Sequence, residues 1–102
     1  MRMDILNVFK TLSNDARLQI LEWLKDPHSY FESQGDIDLE EVGVCVSQIT
    51  KKLNMTQSTA SQYLSMLQKS GLLYATRIGK WTYYRRNEEL IKKLGLYIIE
   101  EL

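Results

Sequence analysis

Between Cys45 and Gly71 the chain spells out two short amphipathic helices on either side of a break, and this unit constrains the fold more than any other stretch. Val46, Ile49 and Leu53 recur at i, i+3 and i+7, one apolar stripe of a short helix. Cys45 with Gln48 three residues later holds the positions of a capping box, with sulfur where a hydroxyl is usual. Asn54-Met55-Thr56 interrupts, and Thr56 can cap a second helix whose inward residues are Ala60, Leu64 and Leu67. Gly71 supplies the positive φ that closes it. The outward residues are then Gln57, Ser58, Ser61, Gln62, Ser65 and Lys69. Two short helices joined by a tight turn, the second one polar at its N-terminal end, form a helix-turn-helix arrangement. Glutamine amides match the N6/N7 edge of adenine, serines serve several bases or phosphates, and small side chains let the helix approach the groove floor. No acid stands on that face to oppose phosphate.

The flanking stretches fit around this unit. Leu72 to Ile78 and Trp81 to Arg85 are rich in β-branched and aromatic residues and flank Gly79-Lys80, which predicts a β-hairpin with glycine at the turn. Arg77, Lys80, Arg85 and Arg86 lie on or beside this wing, which could track phosphates or enter the minor groove. Trp81, Tyr83 and Tyr84 are read as packing residues. Asn87-Glu88-Glu89 opens a last helix in which Leu90, Ile91, Leu94, Leu96, Tyr97, Ile98, Ile99 and Leu102 cover most of the circumference. One core cannot absorb all of them, and the simplest partner is a second copy of the chain. Upstream, Ile5, Phe9 and Leu12 mark a short helix capped by Asp4. Asn14 caps a second, buried through Leu18, Leu21 and Leu24. Asp26-Pro27 begins a single helical turn to Phe31, and the stretch to Gly43 reads as a long connection.

Composition sets limits. The chain has 102 residues, 44% of them apolar, with Lys+Arg 13 against Asp+Glu 13, which suits one globular domain. The expected architecture is mostly α with a small β-hairpin, five main helices with the hairpin between the fourth and the fifth, as one domain over residues 1–102. Within it lie an acidic connection at about 26–43, the helix-turn-helix at about 45–70, the wing at about 72–86 and a C-terminal dimerisation helix at about 88–102. A single cysteine excludes an intramolecular disulfide, and one histidine with one thiol argues against an enzyme. Met1-Arg2-Met3-Asp4 leads into an amphipathic pattern rather than an apolar run, so neither a signal peptide nor a membrane span is expected and the protein reads as cytoplasmic. Charge is balanced but segregated. Asp26, Glu32, Asp36, Asp38, Glu40 and Glu41 fall in one stretch without Lys or Arg, whereas Lys51, Lys52, Lys69, Arg77, Lys80, Arg85 and Arg86 fall in another without an acid. The second stretch is the footprint of a polyanion-binding face, because each neutralised phosphate releases counterions.

The strings LSNDARLQIL (Leu12 to Leu21), LNMTQSTASQYLSMLQKSGLL (Leu53 to Leu73) and GKWTYYR (Gly79 to Arg85) resemble the ArsR/SmtB family of bacterial winged-helix transcription regulators. The likeness spans nearly the whole chain apart from the acidic connection. It implies a homodimeric repressor, joined through its first and last helices, that binds an inverted repeat in double-stranded DNA and releases it on effector binding or thiol modification. Carried over by position, DNA contacts fall on Thr56, Gln57, Ser58, Ser61 and Gln62, with wing contacts from Arg77 and Lys80. The family's metal sites do not carry over. Where soft-metal sensors have Cys-Val-Cys-Asp, this chain has Cys45-Val46-Ser47-Gln48, and its last helix has neither Asp nor His, so no metal or other cofactor is expected.

Cys45 carries two readings, a reactive thiol at a helix N-terminus that senses oxidants or effectors and a small buried side chain. The acidic connection also carries two: a ligand pocket with His28, Tyr30 and Phe31, or a solvated loop packed over the core by Tyr30, Phe31, Ile37 and Leu39. Two function classes fit the sequence. One is sequence-specific DNA binding, and the other is a winged-helix protein-interaction module whose basic face is incidental.

Overall fold

Asp4, Asn14, Thr56 and Asn87 each place a side-chain oxygen on the backbone N–H three residues ahead, at 3.0–3.2 Å, and thereby open the four helices that carry the fold. The computed structural model describes residues 3–102, so Met1 and Arg2, part of the opening read above, lie outside the described residues. In chain order the elements are α1 (Ile5–Leu12), α2 (Asp15–Lys25), α3 (Pro27–Tyr30), β1 (Val44–Cys45), α4 (Val46–Leu53), α5 (Gln57–Lys69), β2 (Leu73–Ile78), β3 (Trp81–Arg86) and α6 (Glu88–Glu101).

The five expected helices are present, and Pro27 at a first helical position makes the predicted single turn a sixth. The sheet differs from expectation. A third strand, β1, pairs antiparallel with β3 through Val44 opposite Tyr84 and Cys45 opposite Tyr83, giving the order β1-β3-β2. Two residues are too short to show a period, so their pairing comes from the tertiary fold.

The core runs through Val8, Ile20, Leu24, Val44, Ile49, Leu64, Leu67 and Leu72, with Phe31 and Leu39 of the acidic connection among its members. The connection is thus packed onto the body, with Ile37 half-buried, while Tyr30 is exposed and His28 lies beside Glu40. Asp38 fixes its turn by accepting from the amides of Glu40 and Glu41. Those bonds, that from Glu41 foremost, hold the Asp38 carboxyl below the usual carboxylate range, so the stability they lend is present above that range and is lost as pH falls through the lowered pKa.

Two apolar assignments shift. Leu18 is 45% exposed, and Ile20 and Arg17 take the buried face of α2 instead. On α1 the fully buried positions are Val8 and Thr11, while Ile5, Phe9 and Leu12 pack partly. The buried Arg17 explains both. Its Nε donates to the Thr11 carbonyl at 2.6 Å and Nη2 reaches that of Lys10 at 3.5 Å, while the guanidinium lies 5.2 Å over the Tyr63 ring. A cation thus closes the carbonyl end of α1 and braces α5 without a carboxylate partner.

Asn87 ties the far side together. Besides its cap, its Nδ2 donates to the Gly71 carbonyl at 2.9 Å and its amide N donates to the Leu72 carbonyl, so the start of α6 is fastened to the end of α5. Asn87→Ala removes a cap and leaves the part-buried Gly71 bond unmade, and we expect a loss of about 2–3 kcal/mol in urea denaturation. A loss below about 0.5 kcal/mol, the level of ordinary surface changes, contradicts this role.

Candidate nucleic-acid interface

The interface is built on the break between α4 and α5. Asn54 caps α4 in the left-handed conformation, φ 54° and ψ 48°, which a short amide side chain tolerates, and the chain turns there within three residues into the Thr56 cap. The Thr56 hydroxyl is engaged locally, accepting from the Thr59 amide at 3.2 Å and lying 3.0 Å from the Thr59 hydroxyl. Ala60, Leu64 and Leu67 hold α5 to the body as expected. Gln57, Ser58 and Gln62 are exposed and Ser61 is half-exposed, so the four share one accessible flank at the N-terminal end of the helix, with Ser65 and Lys69 further along. Met66, also exposed, adds an apolar position that the polar reading of this helix passed over.

The wing is a two-residue hairpin. Ile78 pairs with Trp81, and Gly79 takes a φ of 62° at the turn. Arg77 Nε donates to the Gly79 carbonyl at 3.1 Å, which aligns an exposed guanidinium with the tip beside the exposed Lys80. Tyr83 and Tyr84 pack inside as expected, whereas Trp81 is half-exposed at the tip with Ile78.

The basic set is smaller than the sequence suggests. Arg86 donates to the Leu21 carbonyl at 3.2 Å and pairs with Glu88 at 2.9 Å, so it fastens β3 to α2. Arg85 stacks 4.5 Å over the Tyr74 ring. Both arginines, expected on or beside the wing as phosphate contacts, are half-buried, and each guanidinium is already engaged within the chain. Lys51, Lys52, Lys69, Arg77 and Lys80 remain exposed.

Cys45 is 1% exposed, lies in β1, and caps α4, where its amide donates to Gln48 Oε1 at 3.3 Å and the Ser47 hydroxyl lies 3.3 Å from its sulfur. Alkylation of the native thiol is therefore expected to be slow compared with the urea-unfolded chain; equal rates contradict the burial. Among the described residues no three His, Cys, Asp or Glu side chains converge as metal ligands, and no helix is long and apolar enough to cross a membrane.

Apolar surface gathers at the ends of the chain. Ile99 of α6 and Leu102 just beyond it are each 79% exposed, Leu96 and Ile98 of α6 are also exposed, and Leu6 of α1 is 61% exposed. Met3 lines a small groove with Leu90 and Lys93, which sets the start of α1 against α6.

Comparison with known proteins gives consistent relatives. The profile of bacterial regulatory proteins of the arsR family matches residues 39–75, which contain α4, α5 and the start of the wing. An uncharacterized HTH-type transcriptional regulator of Bacillus subtilis, YbzH, is 57% identical over 100 residues, covering 98% of this chain and 100% of that protein. The arsenical resistance operon repressor of Escherichia coli is 31% identical over 81 residues, 78% of this chain and 56% of its own length. Among solved structures, a homodimeric winged helix-turn-helix DNA-binding domain from Mycobacterium bovis, described as a possible ArsR-family transcriptional regulator, aligns with a TM-score of 0.64 at 31% identity, over 93% of this chain and 75% of that one.

Proposed function

This chain belongs to the ArsR family of bacterial regulatory proteins, a family of transcription regulators rather than enzymes, and from that premise we propose that it acts as a homodimeric repressor on an inverted-repeat operator. The observation that carries the proposal is the accessible, acid-free flank of α5 together with a wing tip whose exposed Arg77 and Lys80 take part in no ion pair among the described residues. Gln57, Ser58, Ser61 and Gln62 read base edges, Thr56 sets the helix start against a phosphate, and Arg77 and Lys80 hold the backbone. The apolar ends of α1 and α6 join two copies. Their two-fold axis spaces the two α5 helices by about 34 Å, one turn of duplex. In this reading residues 1–102 act as one domain, with α4 and α5 as the reading unit, β2 and β3 as the wing, α6 for dimerisation and 26–43 as a packed connection. Release from the operator follows effector binding. The buried Cys45 favours a small ligand over thiol chemistry as the signal.

The test begins with selection of bound duplexes from a random pool, which yields the operator. On it, Gln62→Ala is expected to cost about 1–3 kcal/mol and almost nothing on random duplex, whereas Lys80→Ala weakens both alike. Equal losses for Gln62→Ala on both duplexes place the reading face elsewhere. Failure to retard any duplex supports the protein-interaction module instead.

A further inference from the structure

The acidic connection and α4 flank a shallow cleft of about 630 Å³, widely open to solvent, that the DNA reading does not use. Tyr30 and Phe31 form one wall and Gln48, Lys51 and Lys52 the other. The walls are braced before any ligand arrives. Phe31 is anchored in the core, its ring edge-on to Trp23 at 6.2 Å, and Gln48 Nε2 donates to the Glu32 carbonyl at 2.7 Å. Lys52 Nζ lies 5.2 Å, 5.5 Å and 5.8 Å from the ring centroids of Trp23, Tyr30 and Phe31. Neither Lys51 nor Lys52 takes part in any of the three ion pairs among the described residues, although Glu32 is among the lining residues.

We infer that this cleft is a binding site for a small aromatic carboxylate. Two unpaired ammonium groups against one carboxylate give the cleft a positive balance, which favours an anion over an amine. Tyr30 and Phe31 give the cleft an apolar side against which a planar ring can lie, and Gln34 and Ser47 add an amide and a hydroxyl group among the lining residues. His28, expected beside Tyr30 and Phe31 in a pocket of this kind, is not among the lining residues. The consequence for regulation rests on the DNA reading: Lys51 and Lys52 end α4 just before the turn into α5, so an anion held there competes with phosphate at the entrance to the reading helix.

Trp81→Phe leaves Trp23, packed behind the lining residue Phe31, as the sole tryptophan. Benzoate is expected to change its fluorescence saturably, with benzamide, benzylamine and inorganic phosphate at matched ionic strength binding at least about tenfold more weakly. The double variant Lys51→Gln/Lys52→Gln should weaken benzoate about tenfold or more, and Lys51→Arg/Lys52→Arg should largely retain it. Absence of a saturable benzoate response, equal binding of benzylamine or phosphate, or an unchanged affinity in the glutamine variant overturns the assignment. Saturating benzoate should also weaken duplex binding by the wild-type chain. A chain that binds benzoate but no duplex discards the DNA reading and leaves the cleft assignment intact, whereas duplex binding without a benzoate response does the reverse.

Discussion

Ile99→Glu is expected to convert the dimer to a folded monomer and to weaken operator binding by about a thousandfold. Ile99 is 79% exposed on α6, so within one chain the carboxylate meets water and should hardly disturb folding. In the proposed dimer it meets the apolar surface of Leu96, Ile98 and Leu102 and their copies, where a buried unpaired charge is strongly disfavoured. A dimer engages its second half-site at the effective concentration set by the first, and such linkage is worth about 10²–10⁴ in affinity. Sedimentation equilibrium and gel retardation of the same sample read both effects. A variant that remains dimeric with unaltered affinity puts the subunit contact somewhere other than α6.

The second large effect concerns the backbone that carries the reading unit. Gly43 has a φ of 120°, and a Cβ built there would overlap the carbonyl group of Tyr84 and stand 2.9 Å from its amide N. Neither the conformation nor the approach suits a side chain. The neighbouring Val44 and Cys45 pair with β3 and lead directly into α4, so relief of the clash must come from separating β1 from β3. Gly43→Ala is expected to cost roughly 3 kcal/mol or more, combining overpacking and strain of about 1–3 kcal/mol each. Gly35, with φ 58° and open space around it, is the control: Gly35→Ala meets only the conformational penalty, about 1–2 kcal/mol. Equal losses at the two glycines in chemical denaturation contradict the close approach.

Much of this architecture is legible in local chemistry. The caps at Asp4, Asn14, Thr56 and Asn87, the buried triplet Ala60, Leu64 and Leu67, and the Gly79 turn each depend on residues within a few positions of one another, and the structure has them as read. What escapes is set by distant partners. The strand β1 exists because β3 offers it an edge, and Ile20 is buried in preference to Leu18 because Arg17 turns that face toward the end of α1 and toward Tyr63. The same reasoning explains Arg85 and Arg86. Sequence charge counts them with the wing cations, but the Tyr74 ring and the Leu21 carbonyl that occupy them lie on other elements. For the candidate site, residue types and helix face were readable from spacing alone, whereas the aromatic cleft beside α4 required residues from α2, the connection and α4 to meet.

The most direct test of the account is the salt dependence of the wild-type chain on its selected inverted-repeat duplex. Arg77 and Lys80 from each of two copies should neutralise about four phosphates, which predicts two chains per duplex and a slope of log affinity against log salt of about −4. A slope close to zero, or a single chain per duplex at saturation, contradicts a paired molecule held to the backbone by these cations.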